Sequence, residues 1–263
     1  MASPEPVRLT VDDRGVAVVE LNRPEASNSI DVATATALGA AAQQAADARV
    51  IVLRSTGRFF CAGGDLSSFT GDPAPRLQET AEAFHVAVRA LAAADAPVIA
   101  RVQGVAAGAG LSLVAAADIA VAAEEASFVF AYGAAGLSPD GGASYFLPRR
   151  IGERRTFELA LTNRRLDAAT AVAWGLLNRV VPASGLDAAV DEYVEAALRG
   201  STGSLGAIKH LVATSPDATL DEQLDRESAA LYARGASADG REGIAAFLAK
   251  RRPVFGSGTR PPA

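Results

Sequence analysis

Two glycine-rich segments in this sequence could present backbone N–H groups to a ligand. Residues 59–66 read Phe-Phe-Cys-Ala-Gly-Gly-Asp-Leu, and residues 103–110 read Gln-Gly-Val-Ala-Ala-Gly-Ala-Gly. Because glycine has no side chain, the backbone of such a turn can approach a bound molecule closely. One N–H from each turn, directed at the same oxygen, would polarise a carbonyl and stabilise the oxyanion that develops from it. The sequence therefore predicts an oxyanion hole built from two turns.

Both turns are predicted to join a strand to a helix. Residues 49–54 and 97–102 are short apolar runs rich in β-branched side chains, as expected of buried strands. Asp65 has the position of an N-cap for a helix that would start at Leu66, and residues 111–117 form an apolar helical run after the second turn. A single unit of this kind is most simply explained as an ordinary strand-to-helix turn. Two of the same design favour a site, because a helix N-terminus stabilises negative charge.

The two segments resemble the defining motifs of the crotonase superfamily, the enoyl-CoA hydratases and isomerases. The resemblance extends from Leu-Asn-Arg-Pro at 21–24 to Ala-Phe-Leu-Ala-Lys-Arg at 246–251, so it covers nearly the whole chain. It implies a CoA thioester as the substrate, with the N–H groups of Gly64 and Ala109 as the oxyanion hole for its carbonyl. Coenzyme A is then part of the substrate, and no separate cofactor and no metal are expected.

Composition agrees with a globular acyl-CoA enzyme and argues against several other classes. The 263 residues are 49% hydrophobic and carry a net charge of −5 with acids and bases interspersed, which does not suggest a nucleic-acid surface. Cys61 is the single cysteine, so no intrachain disulfide is expected, and we interpret it as a packing residue. The N-terminus shows no signal-peptide pattern, and the glycines of the apolar stretch 104–123 favour a buried helix plus strand over a membrane span. We expect a soluble cytoplasmic protein without a membrane partner.

The first half of the chain reads as an α/β pattern. Residues 7–11 and 16–21 predict a hairpin, Asp31 predicts the cap of a helix that runs to about residue 47, and residues 127–131 predict a further strand. The resemblance implies a spiral of ββα turns with two roughly perpendicular sheets. Residues 1–200 are assigned on this basis to the acyl-CoA-binding core.

Helical patterns dominate after Gly136. They are predicted at 143–149, 154–161, 168–174, 186–198, 205–212, 220–234 and 243–250, with one short strand at 177–181. In the crotonase family the terminal helices form a trimerisation layer, so residues 201–263 are assigned to a C-terminal helical oligomerisation region. The resemblance implies a homotrimer, or a dimer of trimers. Residues 253–263 are predicted to be a loose tail.

The residues around the oxyanion hole decide the chemistry, and here the sequence departs from the hydratase pattern. Hydratases of this family use two glutamates, whose positions are occupied by Ser112 and Tyr132. Neither side chain is a carboxylate, and neither is an effective acid near neutral pH without help. We interpret Ser112 as a small helix residue and Tyr132 as a pocket wall, with a catalytic role for each as the alternative.

A different carboxylate is available at Asp140. Residues 136–144 resemble the loop in which double-bond isomerases, the ring-epoxide isomerase of phenylacetate breakdown and the chlorobenzoyl-CoA dehalogenases carry a catalytic aspartate. The structural alternative is that Asp140 caps a helix that begins at Gly141. An aspartate can move a proton between the α and γ carbons of an enoyl thioester, while the oxyanion hole stabilises the enolate. The favoured function is therefore isomerisation of an unsaturated acyl-CoA.

Three other functions stay open at this stage: an enoyl-CoA hydratase, an acyl-CoA hydrolase or dehalogenase with an aspartate nucleophile, and a non-catalytic CoA-thioester binder. Residues 154–164 are similar to the dehalogenases, and His85 falls where those enzymes keep a general base. A histidine among apolar helix neighbours more often has a structural role. His85 is therefore a secondary candidate.

Contacts with CoA follow from the resemblance alone. They are assigned to Arg23, Ala26, Ala62, Asp65, Leu66, Phe247 and Lys250. The Ala62 carbonyl and the Leu66 N–H correspond to the adenine contacts of the family, and Ala26 lies along the pantetheine arm. Lys250, beside Phe247, is the candidate for the CoA phosphates, across a subunit boundary, and Arg23 could contribute.

Overall fold

The computed structural model describes residues 5–256 of the chain. Its strands are β1 (Val7–Val11), β2 (Val16–Leu21), β3 (Val50–Ser55), β4 (Val98–Val102), β5 (Val105–Ala107), β6 (Ile119–Ala123), β7 (Ser127–Val129), β8 (Leu166–Asp167) and β9 (Arg179–Val181). Its helices are α1 (Val32–Gln44), α2 (Pro73–Ala93), α3 (Ala109–Ala116), α4 (Ala143–Ile151), α5 (Glu153–Thr162), α6 (Ala168–Trp174), α7 (Leu186–Leu198), α8 (Thr202–Thr214), α9 (Leu220–Gly235) and α10 (Ala238–Leu248).

Two sheets carry the fold. The larger has the strand order β1-β2-β3-β4-β6-β9, and the smaller has the order β5-β7-β8. In the larger sheet β1 and β2 form an antiparallel hairpin, whereas β2, β3, β4, β6 and β9 are parallel. Because β3 and β4 are parallel neighbours, with Ile51 opposite Val98, their carboxyl ends lie at the same edge. The two glycine-rich turns leave the sheet from these ends, so the topology brings them together.

The central strands are buried on both faces, which explains why their sequences are continuously apolar rather than alternating. Side chains such as Ile51 and Leu53 of β3 point into the larger core, whereas Val50 and Val52 pack on the opposite face with Leu186 of α7. Helices α1 and α2 pack against each other. The sheet therefore forms a rigid layer from which the turns of the site project.

Several predicted elements are confirmed with their bounds. The hairpin, the helix 168–174 and the helix 186–198 lie where the sequence places them. The cap of α1 is also confirmed, because the Asp31 carboxylate accepts a hydrogen bond from the N–H of Thr34. Residues 104–123 form β5, α3 and β6, so the predicted buried helix and strand are both present. No helix within residues 5–256 combines the length and the apolar character needed to cross a bilayer.

The predicted start of the helix after Asp65 is wrong. Residues Leu66–Ser68 form only a short 3-10 turn, and α2 begins at Pro73 with Asp72 as its N-cap. The Asp65 carboxylate is not available as a cap, since it accepts hydrogen bonds from Ser67 Oγ at 2.6 Å and from Arg23 at 3.1 Å. Proline at the first position of a helix lacks an N–H that would be unsatisfied there, which favours the later start.

The C-terminal helices are attached to the core at Lys209. Its ammonium group lies 2.9 Å from Asp118 and donates to the carbonyl of Leu91 at 2.9 Å. Helices α9 and α10 expose large apolar side chains instead of burying them, namely Leu220, Leu224, Leu231, Tyr232, Ile244, Phe247 and Leu248. Such a surface is typical of a face that meets another protein chain.

The loose tail predicted at 253–263 is wrong for its first residues. The N–H of Val254 donates to Glu242 at 2.9 Å, and the N–H of Gly256 donates to Asp239 at 3.1 Å. Both acceptors lie on α10, so this segment folds back on the last helix. The remainder of the predicted tail, 257–263, lies outside the described residues.

Candidate active site

The two glycine-rich turns pack directly against each other. Gly63 has a φ of +103° and Gly108 a φ of +50°, backbone conformations that residues other than glycine rarely adopt. A Cβ placed on Gly63 would lie 3.2 Å from the carbonyl oxygen of Ala107, a tight contact that, together with the positive φ, favours glycine at this position. A bridge between Cys61 and Ala106 fixes the register of the two turns.

The proposed oxyanion donors are both free to bind a ligand. Within residues 5–256, no acceptor takes the N–H of Gly64, although its neighbours Gly63 and Asp65 are bonded to Ile30. Ala109 is the first residue of α3, so its N–H has no partner inside the helix. Two unpaired N–H groups beside one cavity are what an oxyanion hole needs.

A cavity of about 320 Å³ lies beside these donors. Its wall contains Gly64, Ala109, Tyr132 and Asp140, and it is otherwise largely apolar. The apolar part is formed by Ile30, Leu66, Phe69, Leu77, Phe84 and Leu137, together with small residues. The size and lining are typical of a site for a small organic group.

Asp140 is held in this cavity by hydroxyl groups. Oη of Tyr132 donates to Oδ1 of Asp140 at 2.6 Å, within the range of a charge-assisted hydrogen bond. Oγ of Ser112, which is fully buried, lies 3.0 Å from Tyr132 Oη and donates to the Asp140 carbonyl at 3.1 Å. Burial and the nearby Asp140 charge raise the pKa of Tyr132. Tyr132 therefore remains a neutral phenol and acts here as a donor.

The capping alternative for Asp140 is not what the structure shows. Helix α4 begins at Ala143 rather than at Gly141, and its N-cap is Gly142, which has no side chain to cap with. The main-chain carbonyl of Asp140 accepts from the N–H of Ala143, while the carboxylate accepts from Tyr132. The carboxylate is thus directed at the cavity wall and not at the helix backbone.

Tyr132 is presented by a strained turn that the sequence did not predict. Ala131 has a φ of +67°, which is unfavourable for a residue with a side chain, and the N–H of Tyr132 donates across it to Phe130. Oδ1 of Asn163 accepts the N–H of Ala131 at 2.8 Å and fixes the turn. Asn163 lies in a loop after α5, with no sequence signal that connects it to residue 131.

His85 faces the main chain next to Asp140. Its Nε2 accepts the N–H of Gly141 at 3.2 Å, which requires the proton to be on Nδ1. His85 is not among the residues that line the cavity. The structure therefore gives its Nε2 lone pair a structural partner.

The residues assigned to CoA lie in four places. Ala62 and Leu66 line the cavity, although the N–H of Leu66 donates to the Gly64 carbonyl at 3.0 Å. Arg23 is enclosed between Asp31 at 3.0 Å and Asp65 at 3.1 Å. Ala26 ends the 3-10 turn Pro24–Ala26, outside the cavity wall. Phe247 and Lys250, in the C-terminal region, are exposed and also lie outside the wall.

Comparison with known proteins agrees with this geometry. The sequence profile described as enoyl-CoA hydratase/isomerase matches residues 12–258.

The chain belongs to the enoyl-CoA hydratase/isomerase family.

Within this family, the chain is 40% identical over 250 residues to 1,2-epoxyphenylacetyl-CoA isomerase of Escherichia coli (strain K12), covering 92% of this chain and 95% of the relative. It is 32% identical over 220 residues to 4-chlorobenzoyl coenzyme A dehalogenase-2 of an Arthrobacter species, covering 81% and 80%. The crystal structure of an enoyl-CoA hydratase from Mycobacterium smegmatis superposes with a TM-score of 0.88 at 30% identity, covering 95% of this chain and 98% of that one. The predicted α/β crotonase fold is confirmed.

Proposed function

We propose that this protein isomerises an unsaturated acyl-CoA by moving a carbon–carbon double bond relative to the thioester. Asp140 is the acid/base, and the N–H groups of Gly64 and Ala109 stabilise the enolate oxygen. One observation carries the proposal: within residues 5–256, Asp140 is the only carboxylate on the wall of the cavity that Gly64 and Ala109 also line.

The proposed reaction needs one carboxylate and no second reactant. Ionised Asp140 removes a proton from the α carbon of a β,γ-unsaturated thioester, and the C–H electron pair moves into a dienolate. The negative charge on the thioester oxygen is stabilised by the two N–H donors. Asp140 then returns the proton to the γ carbon, which leaves the α,β-unsaturated product and regenerates the carboxylate.

The hydroxyls at Ser112 and Tyr132 argue against hydration. Addition of water requires a group that deprotonates the water and a group that protonates carbon. Tyr132 is a poor base or acid near neutral pH, because burial and the Asp140 charge raise its pKa. Ser112 is fully buried and bonded to main-chain and side-chain oxygens. Neither replaces a glutamate.

Two features support the proposal from outside the catalytic groups. The apolar wall with Phe69, Leu77 and Phe84 suits a hydrocarbon acyl group. The Escherichia coli relative is named as an isomerase. The name of that relative specifies its acyl group as epoxyphenylacetyl. A panel of acyl-CoA esters measures which acyl group this chain accepts.

The assembly and the CoA contacts belong to the same proposal. The exposed apolar side chains of α9 and α10 would bury against other copies in a homotrimer or a dimer of trimers. Phe247 and Lys250, which lie away from their own cavity, would then reach the CoA moiety at a neighbouring subunit. We also propose a cytoplasmic location for this acyl-CoA chemistry.

The proposal is tested with a panel of β,γ- and α,β-enoyl-CoA esters whose products are followed by chromatography and mass. Isomerisation predicts a new retention time without a change in mass. Gain of water would identify a hydratase, and release of free CoA would identify a hydrolase. Binding of the esters without turnover would identify a non-catalytic CoA-thioester protein.

A further inference from the structure

A chain of three polar groups lies beside the cavity: Ser112 Oγ, Tyr132 Oη and Asp140 Oδ1. The distances along it are 3.0 Å and 2.6 Å. Ser112 Oγ also lies 3.1 Å from the carbonyl oxygen of Asp140 and 3.2 Å from that of Gly108. Either hydroxyl can be the donor between Ser112 and Tyr132, so the direction of the chain depends on where the protons are.

When Asp140 is ionised, one placement gives every contact along the hydrogen-bond chain a proton, at the expense of the hydrogen bonds from Ser112 to the carbonyl oxygens of Gly108 and Asp140. A carboxylate only accepts hydrogen bonds, so Tyr132 donates its proton to Asp140. Tyr132 Oη is then left with lone pairs, and Ser112 donates to it. Each contact along the chain has one proton.

The protons can also be placed without conflict when Asp140 is protonated. The carboxyl O–H now donates to Tyr132 Oη, and Tyr132 donates to Ser112 Oγ. Ser112 turns its own proton to one of the two carbonyl oxygens, of Asp140 or of Gly108, that lie within hydrogen-bond distance. Only the two hydroxyl protons rotate, and no heavy atom has to move.

We propose that Ser112 and Tyr132 are positioning residues that form a reversible hydrogen-bond chain on Asp140. The two hydroxyls rotate as the carboxyl gains and loses a proton, and the carboxyl O–H turns from Tyr132 to the γ carbon when it returns the proton, so Asp140 keeps one position as base and as acid. This inference rests on the proposed function, in which a single residue must act in both ways. No covalent bond of Ser112 or Tyr132 changes in the process.

The placement of Tyr132 supports a positioning role rather than a role as a simple wall. Strained backbone is maintained where the surrounding structure requires it, and such sites are concentrated at functional positions. Ala131, with its positive φ, directs Tyr132 toward Asp140, and Asn163 fixes the turn at 2.8 Å. Ser112 is fully buried, and its hydroxyl lies within hydrogen-bond distance of Tyr132 Oη and of the carbonyl oxygens of Gly108 and Asp140, so it can change acceptor without moving.

The kinetic test compares Tyr132→Phe, Ser112→Ala and the double variant. We expect Tyr132→Phe to lower kcat roughly 10- to 100-fold with little change in KM, because the carboxyl loses its fixed position. Ser112→Ala should lower kcat less, and the double variant should be no slower than Tyr132→Phe, since groups in one chain are not additive. Tyr193→Phe removes a hydroxyl from a side chain that packs against the core on the other face of the large sheet, and it is the matched control.

A folded Tyr132→Phe variant with wild-type kcat would contradict the proposed hydrogen-bond chain. So would a double variant in which the kcat losses of the two single variants multiply. A second measurement does not depend on turnover. The four tyrosines are labelled with ¹³C at Cζ, and Tyr132 is identified by the signal lost in Tyr132→Phe. As the pH is lowered, the Tyr132 signal should move with the same midpoint as the labelled Asp140 carboxyl carbon, and this step should be absent in Asp140→Asn.

Among residues 5–256, His85 and Cys61 also bring ionisable side chains close to Asp140, and each has its own control. His85 approaches from α2 through Gly141, and His85→Gln replaces its imidazole with a side chain that has no ionisable group. Burial raises the pKa of the Cys61 thiol to about 12, so Cys61 stays neutral in the acid range. A Tyr132 signal that does not follow the Asp140 signal would contradict the proposed hydrogen-bond chain. If the Tyr132 signal follows Asp140 in a protein that does not isomerise enoyl-CoA esters, the proposed function is wrong and the proposed hydrogen-bond chain still stands.

Discussion

Oη of Tyr132 lies 2.6 Å from Oδ1 of Asp140, across a loop that separates the two residues by eight positions. This hydrogen bond fixes the only cavity carboxylate within residues 5–256 beside the N–H groups of Gly64 and Ala109, the proposed oxyanion hole. In the proposed site, Ser112 and Tyr132 stand at the two positions where the resemblance to hydratases implied glutamates, and Asp140 supplies the carboxylate.

The oxyanion hole is tested with a pair of variants at Gly64. Gly64→Pro removes the N–H, and we expect turnover to fall about a hundredfold or more because a donor to the thioester oxygen is lost. Gly64→Ala is the matched control, since it keeps the N–H and its Cβ would meet Phe69 at an ordinary 3.8 Å. Circular dichroism establishes that both variants are folded. Equal turnover of the two variants would locate the donor elsewhere.

His85 is tested through its hydrogen bond to Gly141. His85→Leu leaves the buried N–H of Gly141 without an acceptor, which should cost about 1–3 kcal/mol of unfolding free energy. It should also lower kcat, because Gly141 follows Asp140 directly. His85→Gln offers an oxygen acceptor at a similar reach and should recover most of both losses. If kcat falls equally in His85→Gln and His85→Leu while only His85→Leu loses stability, His85 acts as a base and not through its hydrogen bond to Gly141.

Cys61 gives a prediction about pH. Burial raises the pKa of its thiol to about 12 from an ordinary 9.0, so the folded state favours the neutral thiol. The resulting stability is complete below about pH 9 and is lost as the pH rises toward 12. Urea unfolding should therefore show a steeper decline between these values in wild type than in Cys61→Ala. The native thiol should resist alkylation at pH 8 and react once the chain is unfolded.

Assembly is tested on the exposed face of α9. Light scattering should give three or six times the 26.8 kDa mass of the chain. Leu231→Glu places a charge on a side chain that is 76% exposed in the single chain, so it should leave the fold intact and break the assembly. Val11→Glu adds the same charge at an exposed site on β1 as the control. A monomeric wild type would contradict the oligomerisation layer and the placement of Lys250 at a neighbouring site.

The elements that the sequence predicted well carry their own local signals. Helix α6 begins after Asp167, whose carboxylate accepts the N–H of Thr170, and ends at Gly175 in the left-handed conformation, so both ends are legible in the residue types. The glycine turns were predicted for the same reason. The start of α2 was not, because Asp65 has an N-cap residue type but binds Arg23 instead.

The polar contacts of the site could not be read from the sequence. Tyr132 and Asp140 lie in an irregular loop without hydrophobic periodicity, so no pattern orients one toward the other. His85 reaches Gly141 over 56 positions, and Asn163 reaches Ala131 over 32. A positive φ at Ala131 contradicts the local preference of alanine and is imposed by tertiary contacts. Residue types indicated the carboxylate, and only the fold showed what holds it.

The central claim is that Asp140 moves the proton, and Asp140→Asn tests it most directly. Asparagine has the same shape and keeps a hydrogen-bonding partner for Tyr132, but it cannot take a proton from carbon. The measurement is kcat for isomerisation of the preferred enoyl-CoA ester, with binding of the same ester measured by calorimetry. We predict that kcat falls by roughly two to four orders of magnitude while affinity is retained. Near wild-type isomerisation by folded Asp140→Asn would contradict the account.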